Sequence, residues 1–382
     1  MQNNHIYDLI ILGAGASGLM CATHLNKNLD VAIIDINEKV AKKLKISGGG
    51  KCNITNISVN ENNYDGDNEL IEYALSTFSK ENLLEFLKLN GVTPIIRKGR
   101  YYFCKDSSDE IIDILKRKTQ KFNTTLNCEI FGVTKENGVF TTVTSKGQFY
   151  SKKVIVATGG KSFKTLGASD IGLKIAKSFH IKVKEFAPAL VGMTLQPKEF
   201  WMKELSGLSC YVHITVEDKI LKEDMLFAHK GISGPAILST SLYWQKGDIC
   251  INFLPNENIL QLIEGTKKQI SSVINLPKRL SKAILNAIDV PDIECKKITP
   301  EIQEKLKNIH HYKFAPAGNF GFSKAEVSKG GVLVNELNRY SLESLDVEGL
   351  YFIGEVVDVT GELGGYNFQW AFSSSVLTAN VI

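Results

Sequence analysis

Three observations predict a doubly wound α/β fold. Tyr7 to Leu12 is a β-rich apolar run interrupted only by Asp8, and Gly13 stops it before Leu19, Met20 and Ala22 fall at helical intervals. A second apolar run, Val31 to Ile34, ends at Asp35. Strand, tight turn, helix and strand in that order make a β-α-β unit, which implies a parallel sheet with a right-handed crossover.

The later elements extend this reading. Leu70 to Leu89 places Ile71, Leu75, Phe78, Phe86 and Leu89 at helical intervals, and Gly91 supplies a C-terminal stop. Ser107 and Glu110 form an S-x-x-E capping box ahead of Ile111, Ile114 and Leu115, so another helix starts there. Val154 to Ala157 reads as a short buried strand, closed by Thr158-Gly159-Gly160, that returns to the same sheet. After about Pro188 the texture changes. Cys210, Val212, Ile214 and Val216 alternate with Tyr211, His213 and Thr215, and Ile249, Ile251 and Phe253 repeat the period of two, so antiparallel strands are expected. Leu280, Ile284 and Ile288 share a helix face; further on, Thr299 caps a helix with Pro300 at its first position, followed by Ile302, Leu306 and Ile309. From Leu350 an apolar strand stops at Gly354, and a glycine-rich turn from Gly361 to Gly365 leads into a helix over Phe368 to Leu377. The α/β domain is therefore expected to be discontinuous.

Composition narrows the classes. A chain of 382 residues predicts two or three domains at ~150 residues each. Its 43% apolar and 23% charged content excludes wholesale disorder, collagen and coiled coil. The excess of 45 basic over 41 acidic residues, +4, is too small to argue for nucleic acid or an anionic membrane as main partner. Seven scattered cysteines without a C-x-x-C pair suggest neither a disulfide framework nor a zinc cluster, and a reducing cytoplasmic location is expected. Leu9 to Thr23, the longest uncharged stretch near the N-terminus, holds three glycines and is too short to span a bilayer.

The strongest motif is Gly13-Ala14-Gly15-Ala16-Ser17-Gly18, with Asp35 lying 35 − 13 = 22 residues beyond its first glycine. It follows a strand, opens a helix and meets an acid at the end of the next strand, the context that makes G-x-G-x-x-G a dinucleotide fingerprint. Gly13 permits the turn, Gly15 admits a pyrophosphate, Gly18 lets helix and sheet pack, and the helix N-terminus stabilises the diphosphate. Asp35 would accept hydrogen bonds from the adenosine ribose. The motif alone does not separate NAD from FAD. Two further glycine-terminated strands, Val154 to Gly160 and Leu350 to Gly354 with Glu355, favour the longer FAD. So does the turn Gly361-Glu362-Leu363-Gly364-Gly365-Tyr366-Asn367, whose helix N-terminus would face the pyrimidine edge of a flavin.

The run Ile46-Ser47-Gly48-Gly49-Gly50-Lys51-Cys52-Asn53 lets backbone pass close to a flat cofactor, with Lys51 or Asn53 bonding phosphate or flavin oxygen. It lacks P-loop spacing, which excludes a nucleoside triphosphatase of that type. Cys52, without a partner cysteine or histidine, reads as a packed, redox-inert thiol. His229 reads as a structural hydrogen-bonding residue, and the adjacent His310 and His311 as a solvated helix end rather than a metal site.

Together with Ala157-Thr158-Gly159-Gly160-Lys161-Ser162, Phe227-Ala228-His229-Lys230-Gly231-Ile232-Ser233-Gly234-Pro235 and Gly354-Glu355 through Asn367-Phe368-Gln369-Trp370, these motifs make the chain resemble the BaiN/YhiN-type bacterial FAD-dependent oxidoreductases, which include aminoacetone oxidase-like flavoproteins. The resemblance spans nearly the whole chain. It implies a Rossmann-like FAD-binding domain over 1–188 and 331–382, an inserted antiparallel β-barrel-like domain over 189–256 with a return strand in 312–330, and a small helical domain over 257–311. By position it implies that Gly13, Gly15, Ala16, Ser17, Gly18 and Asp35 hold the adenosine diphosphate half, with the backbone near Val133 on the adenine. Ala157, Thr158 and Gly159 would support the pyrophosphate side, and Gly354 and Glu355 the ribityl or pyrophosphate region. Ser47, Gly48, Gly49, Lys51, Cys52 and Asn53, with Gly364, Gly365 and Asn367, would surround the isoalloxazine. Three residues depart from the family pattern: Asp35 stands for a common Glu, Lys51 for a more usual Arg, and Tyr102-Phe103-Cys104 where a Phe-Pro pair is common.

The leading expectation is an FAD-dependent oxidoreductase acting on a small organic substrate. No second G-x-G-x-x-G exists, so NAD(P)H as reductant would bind transiently, or the enzyme would be an amine-type oxidase using O₂. The alternatives are a non-catalytic flavin-binding redox module and an RNA-associated flavoprotein. The last is suggested by Thr266 to His311, with nine Lys/Arg against five Asp/Glu. That segment has no Phe, Tyr or Trp to stack bases, which makes a solvated helical face the preferred reading. The sequence assigns no catalytic side chain and no oligomeric state.

Overall fold

The computed structural model describes residues 5–382. Its contacts form two units, one of residues up to Pro188 together with Glu326–Ile382, the other Ala189–Ala325.

In the first unit the strands run in the order Asn123–Thr125, Val31–Ile34, Ile6–Leu12, Gly147–Val156, Val139–Thr144 and Ile130–Glu136, while Leu350–Phe352 also pairs with Gly147–Val156. The pairs among Asn123–Thr125, Val31–Ile34, Ile6–Leu12, Gly147–Val156 and Leu350–Phe352 are parallel, and the last two strands of the order add an antiparallel meander. Leu9 to Leu12, Val31 to Ile34 and Val154 to Val156 are buried on both faces, as parallel strands covered by helices must be. Register decides where function can sit. Leu12 pairs with both Ile34 and Val156, and Val156 with Phe352. The next residues, Gly13, Asp35, Ala157 and Ile353, therefore leave the sheet side by side at its C-terminal edge, where open α/β sheets bind ligands.

The helix Tyr366–Ala379 packs against Ala16–His24 and is buried almost all round. Its hydroxyls are satisfied internally: Ser375 Oγ donates to Ser17 O at 2.8 Å and Thr378 Oγ1 to Ser341 O at 2.8 Å. The expected helix over Leu70 to Leu89 is two helices, Asn68–Thr77 and Lys80–Leu89. Ser79 caps the second through Asn82 N, and Asn82 Oδ1 accepts from Ser79 N at 2.9 Å; this reciprocal box breaks a continuous apolar period. At the expected Ser107 box, Glu110 accepts from Asp106 N and Ser107 N, but Ser107 Oγ takes Asp109 N rather than Glu110 N, and the helix begins at Asp109.

The second unit is an antiparallel sheet in the order Tyr312–Phe314, Ile249–Asn252, Ser209–Val216, Lys219–Ala228, Gly231–Ser233, Met193–Thr194 and Gly318–Asn319. Along Ser209–Val216 buried and outward residues alternate as the sequence predicts. The helices Ile259–Ile263, Lys278–Ala287 and Pro300–Leu306 share one apolar core with this sheet, through Ile259, Leu280, Ile284 and Leu306, so 257–311 does not build a core of its own. Residues 326–330, expected with the inserted part, group with the first unit because Val327–Val332 pairs with Val183–Ala189. His310 is not a solvated end: its Nε2 accepts from Ile259 N at 3.2 Å and its Nδ1 lies 3.1 Å from Asn252 Oδ1. An accepting Nε2 places the proton on Nδ1, so the ring is neutral. His229, expected to hold a structural hydrogen bond, is exposed and makes none among the described residues.

Candidate functional site

Five chain segments meet at the C-terminal edge of the parallel sheet. Gly13 N donates to Ile34 O at 2.8 Å, and Gly13 turns at φ +114°, with its Cα so close to the next strand that a Cβ would lie 2.4 Å from Ala157 O. Gly18 packs on the same turn; a Cβ there would lie 1.9 Å from Gly13 O. Gly15 differs, because a Cβ on it would meet nothing within 4 Å. The glycine loop is thus packed on two sides and open at its middle residue.

Asp35 is engaged with this loop rather than projecting free. Its Oδ2 accepts from Ala14 N at 2.7 Å, while Oδ1 accepts from Asn37 N at 2.7 Å and Asn37 Nδ2 at 3.0 Å. The backbone of Asn127 and Cys128 then bonds Asn37 O and Asp35 O, each at 2.9 Å. Val133 lies further along the following strand, buried in the sheet, beside a register irregularity at Gly132. Ser17 Oγ faces inward: a Cβ on Gly354 would lie 2.0 Å from it. Gly354, at φ +71°, is held from the other side by Trp370 Nε1 donating to its carbonyl at 3.0 Å and by Ser374 Oγ accepting its N–H at 3.1 Å.

Glu355 follows. Its Oε2 lies 2.7 Å from Lys43 Nζ and its Oε1 accepts from Ser328 N at 2.8 Å, beside Gly159 and Gly160. Lys43 and Ser328 carry no motif, and no local pattern could have linked Lys43 to a partner 312 positions away. Thr158 Oγ1 is buried with no hydrogen-bond partner among the described residues.

A second cluster forms around the helix Tyr366–Ala379, whose N-cap is Gly365. Gly365 lies on the backbone of Thr55, where a Cβ would come within 2.7 Å, and Asn56 Nδ2 donates to Gly364 O at 3.1 Å. With its amide oriented to satisfy all its neighbours, Asn53 accepts from Gly365 N at 3.3 Å and donates to Thr55 O and Tyr102 O, each at 3.2 Å. Gly48 packs against Asn53 N and the Phe103 ring, while Gly49 faces open space. Ser47 Oγ donates to Leu44 O at 2.8 Å. These contacts bring Ser47, Gly48, Gly49, Asn53, Gly364 and Gly365 together. Lys51 makes no side-chain hydrogen bond among the described residues. Asn367 is committed elsewhere: its Oδ1 accepts from Gly361 N at 2.9 Å and its Nδ2 donates to Gly361 O at 2.8 Å, so it clamps the turn. Cys52 is fully buried, and burial pushes its thiol up to about 12, which keeps it protonated at neutral pH.

Beside the Gly361 turn, burial raises the Asp358 carboxyl and lowers the Lys329 ammonium, and Lys184 Nζ stands 3.5 Å from Asp358 Oδ2.

The arrangement fits an extended dinucleotide. Ala16–His24 and Tyr366–Ala379 both begin at a glycine N-cap, and among the described residues no side chain caps either, which leaves their first-turn N–H groups without a capping side chain. Open space at Gly15 and the orphaned Thr158 hydroxyl supply the room and the donor that a diphosphate needs. Among the described residues no three His, Cys, Asp or Glu gather as a metal site, and no helix is long and apolar enough to cross a membrane.

The family model described as HI0933-like protein Rossmann domain matches residues 7–381. A protein of Escherichia coli named ribosomal RNA dihydrouridine synthase is 36% identical, over 97% of this chain and 96% of its own. A Clostridium scindens protein named 3-dehydro-bile acid delta(4,6)-reductase is 27% identical, over 96% and 97%. Among solved structures, the 3-ketosteroid-delta4-(5alpha)-dehydrogenase of Rhodococcus jostii superposes with a TM-score of 0.52 at 10% identity, covering 99% of this chain and 98% of that one, a likeness of fold.

Proposed function

We infer function from one premise: the chain belongs to the HI0933-like Rossmann-domain family. On that basis it is an FAD-dependent reductase that saturates a carbon–carbon double bond conjugated to a carbonyl, and its substrate is a uridine of ribosomal RNA. The observation that carries this reading is the 36% identity, over essentially the full length of both chains, to the relative named ribosomal RNA dihydrouridine synthase. The name of the bile-acid relative describes the same bond chemistry, since a 3-oxo group conjugates with double bonds at 4 and 6 as the uracil C4 carbonyl does with C5=C6. The RNA-associated alternative thereby moves ahead of a small organic substrate.

The residues divide the work. The open N-terminus at Gly15, Ala16 and Ser17 takes the diphosphate, with Thr158 and Gly159 beside it. Asp35 shapes the glycine loop and offers its remaining lone pairs to the ribose. Glu355, oriented by Lys43 and Ser328 N, meets the ribityl hydroxyls. Ser47, Gly48, Gly49 and Asn53 form one wall for the flat ring. Gly364, Gly365 and the N–H groups of the last helix stabilise negative charge at its pyrimidine edge. Bound FAD supplies hydride transfer. NAD(P)H acts as transient reductant, the second unit is a barrel-like insertion, and a cytoplasmic location accords with a ribosomal substrate.

The test is to give FAD-loaded protein NADH or NADPH with ribosomal RNA from E. coli lacking its relative, then to analyse the nucleosides by mass spectrometry. Conversion of uridine to a nucleoside two hydrogens heavier is expected. Reduced flavin with unaltered RNA, together with reduction of a 3-oxo-Δ4 steroid, would replace RNA by a small enone.

A further inference from the structure

The charge of the second unit is unevenly placed. Between Gly265 and Ile288 stand Lys267, Lys268, Lys278, Arg279 and Lys282, and no Asp or Glu. All five are exposed, and none has an ion-pair partner among the described residues; Arg279 donates to the Glu204 carbonyl. The other four cations of this helical stretch are neutralised. Lys296 and Lys297 face Glu294 at 3.0 and 3.7 Å, Lys305 faces Glu301 at 3.7 Å, and Lys307 pairs with Glu304. The local excess therefore belongs to 267–282 alone.

Helix energetics oppose this placement. Lys278–Ala287 begins after Pro277 with no side-chain cap and no acid in its first turn, so Lys278 and Arg279 add positive charge to the positive end of the helix dipole. Lys278 and Lys282, four residues apart, repel along the same exposed row. Pro300–Leu306 in the same unit shows the favourable arrangement, with Glu301 in its first turn and Lys305 in its last. Burial of Leu280, Ile284 and Leu285 holds the unfavourable helix in place, and Ile270–Val273 packs beside it, just after Lys267 and Lys268. Five unneutralised cations on adjoining short elements complement a polyanion. No Phe, Tyr or Trp stands within 266–311 itself to stack bases, so the five cations of this segment suit phosphates rather than splayed bases.

We propose that the surface formed by Lys267, Lys268, Lys278, Arg279 and Lys282 docks the phosphate backbone of a double-helical segment of ribosomal RNA. This rests on the RNA reading above. The test measures the affinity of full-length, FAD-loaded protein for a base-paired ribosomal RNA fragment across a salt series. The variant is Lys267→Ala, Lys268→Ala, Lys278→Ala and Lys282→Ala together, with Arg279 kept for its bond to Glu204. The slope of log affinity against log salt is expected to become shallower by about 0.9 for each phosphate contact removed, roughly three to four in total, with affinity at least about tenfold weaker near physiological salt. Thermal stability should hold or rise, because like-charge repulsion is relieved, so lost binding is not lost folding. Lys296→Ala with Lys297→Ala should leave the slope unchanged. An unchanged slope in the fourfold variant, while RNA is still reduced, overturns this surface and spares the RNA reading. A wild-type protein with no salt-sensitive RNA affinity overturns both, and affinity for phosphatidylserine vesicles in place of RNA overturns the proposal in favour of a membrane surface.

Discussion

Lys43 Nζ lies 2.7 Å from Glu355 Oε2 and joins two positions 312 residues apart beside the glycines at 159 and 160. The pair is partly exposed, so its direct contribution to folding is small, about 1 kcal/mol or less. Its effect should appear in FAD affinity. Lys43→Met is expected to weaken FAD binding about tenfold by fluorescence titration, and Glu355→Gln by a similar factor. Because Lys43 acts by orienting Glu355, the double variant should be little worse than Glu355→Gln alone. Additive losses would show that Lys43 contacts the cofactor itself.

Gly15 and Gly18 separate a ligand role from a packing role within one motif. Gly18→Ala would drive a methyl group to 1.9 Å from Gly13 O and should destabilise the protein by roughly 2–3 kcal/mol in denaturant unfolding. Gly15→Ala meets nothing within 4 Å and should change stability of the FAD-free protein by no more than about 1 kcal/mol. Its methyl group would occupy the diphosphate approach, so FAD binding should fall more than about tenfold. Intact FAD binding in Gly15→Ala would remove the diphosphate from this position.

These contrasts explain what the sequence discloses. The glycine loop and Asp35 are legible because one β-α-β unit contains every signal, and the sheet register then sets Ala157 and Gly354 beside them. The Lys43–Glu355 pair is invisible because nothing local to either residue requires the other. Asn367 shows a different limit: its place in a glycine-rich turn marks the site, but spacing cannot reveal that its amide is used on Gly361. Likewise the apolar period over Leu70 to Leu89 is real, yet the Ser79–Asn82 capping box overrides it.

Cys52 and Cys104 are both fully buried, with burial pushing each thiol up to about 12, although they flank the proposed flavin wall. A thiol held protonated and out of solvent is a poor nucleophile. Native protein treated with a maleimide near pH 8 should leave both unmodified while the half-buried Cys250 labels first, as peptide mapping would show. Rapid labelling of Cys52 would restore it as a redox candidate. Cys52→Ala should correspondingly keep FAD affinity within about threefold.

Two half-buried histidines make stability depend on pH. Burial, then neighbouring charge from His311, lowers His310 from its ordinary 6.5, and burial also lowers His24. The folded state thus binds fewer protons than the unfolded chain at mildly acidic pH, and stability must rise with pH there. The contribution is fully present above about 6.5 and is lost as pH falls toward and through the depressed folded values. For His310 the cost is structural, since protonating Nε2 breaks its acceptance of Ile259 N and sets two N–H groups against each other. Denaturant unfolding at a series of pH values from about 7.5 to 5 should show a falling midpoint, and His310→Gln should flatten part of that slope. A slope unchanged by His310→Gln would place the proton uptake at His24 or at His213, which burial also lowers, and His24→Gln and His213→Gln would then tell the two apart.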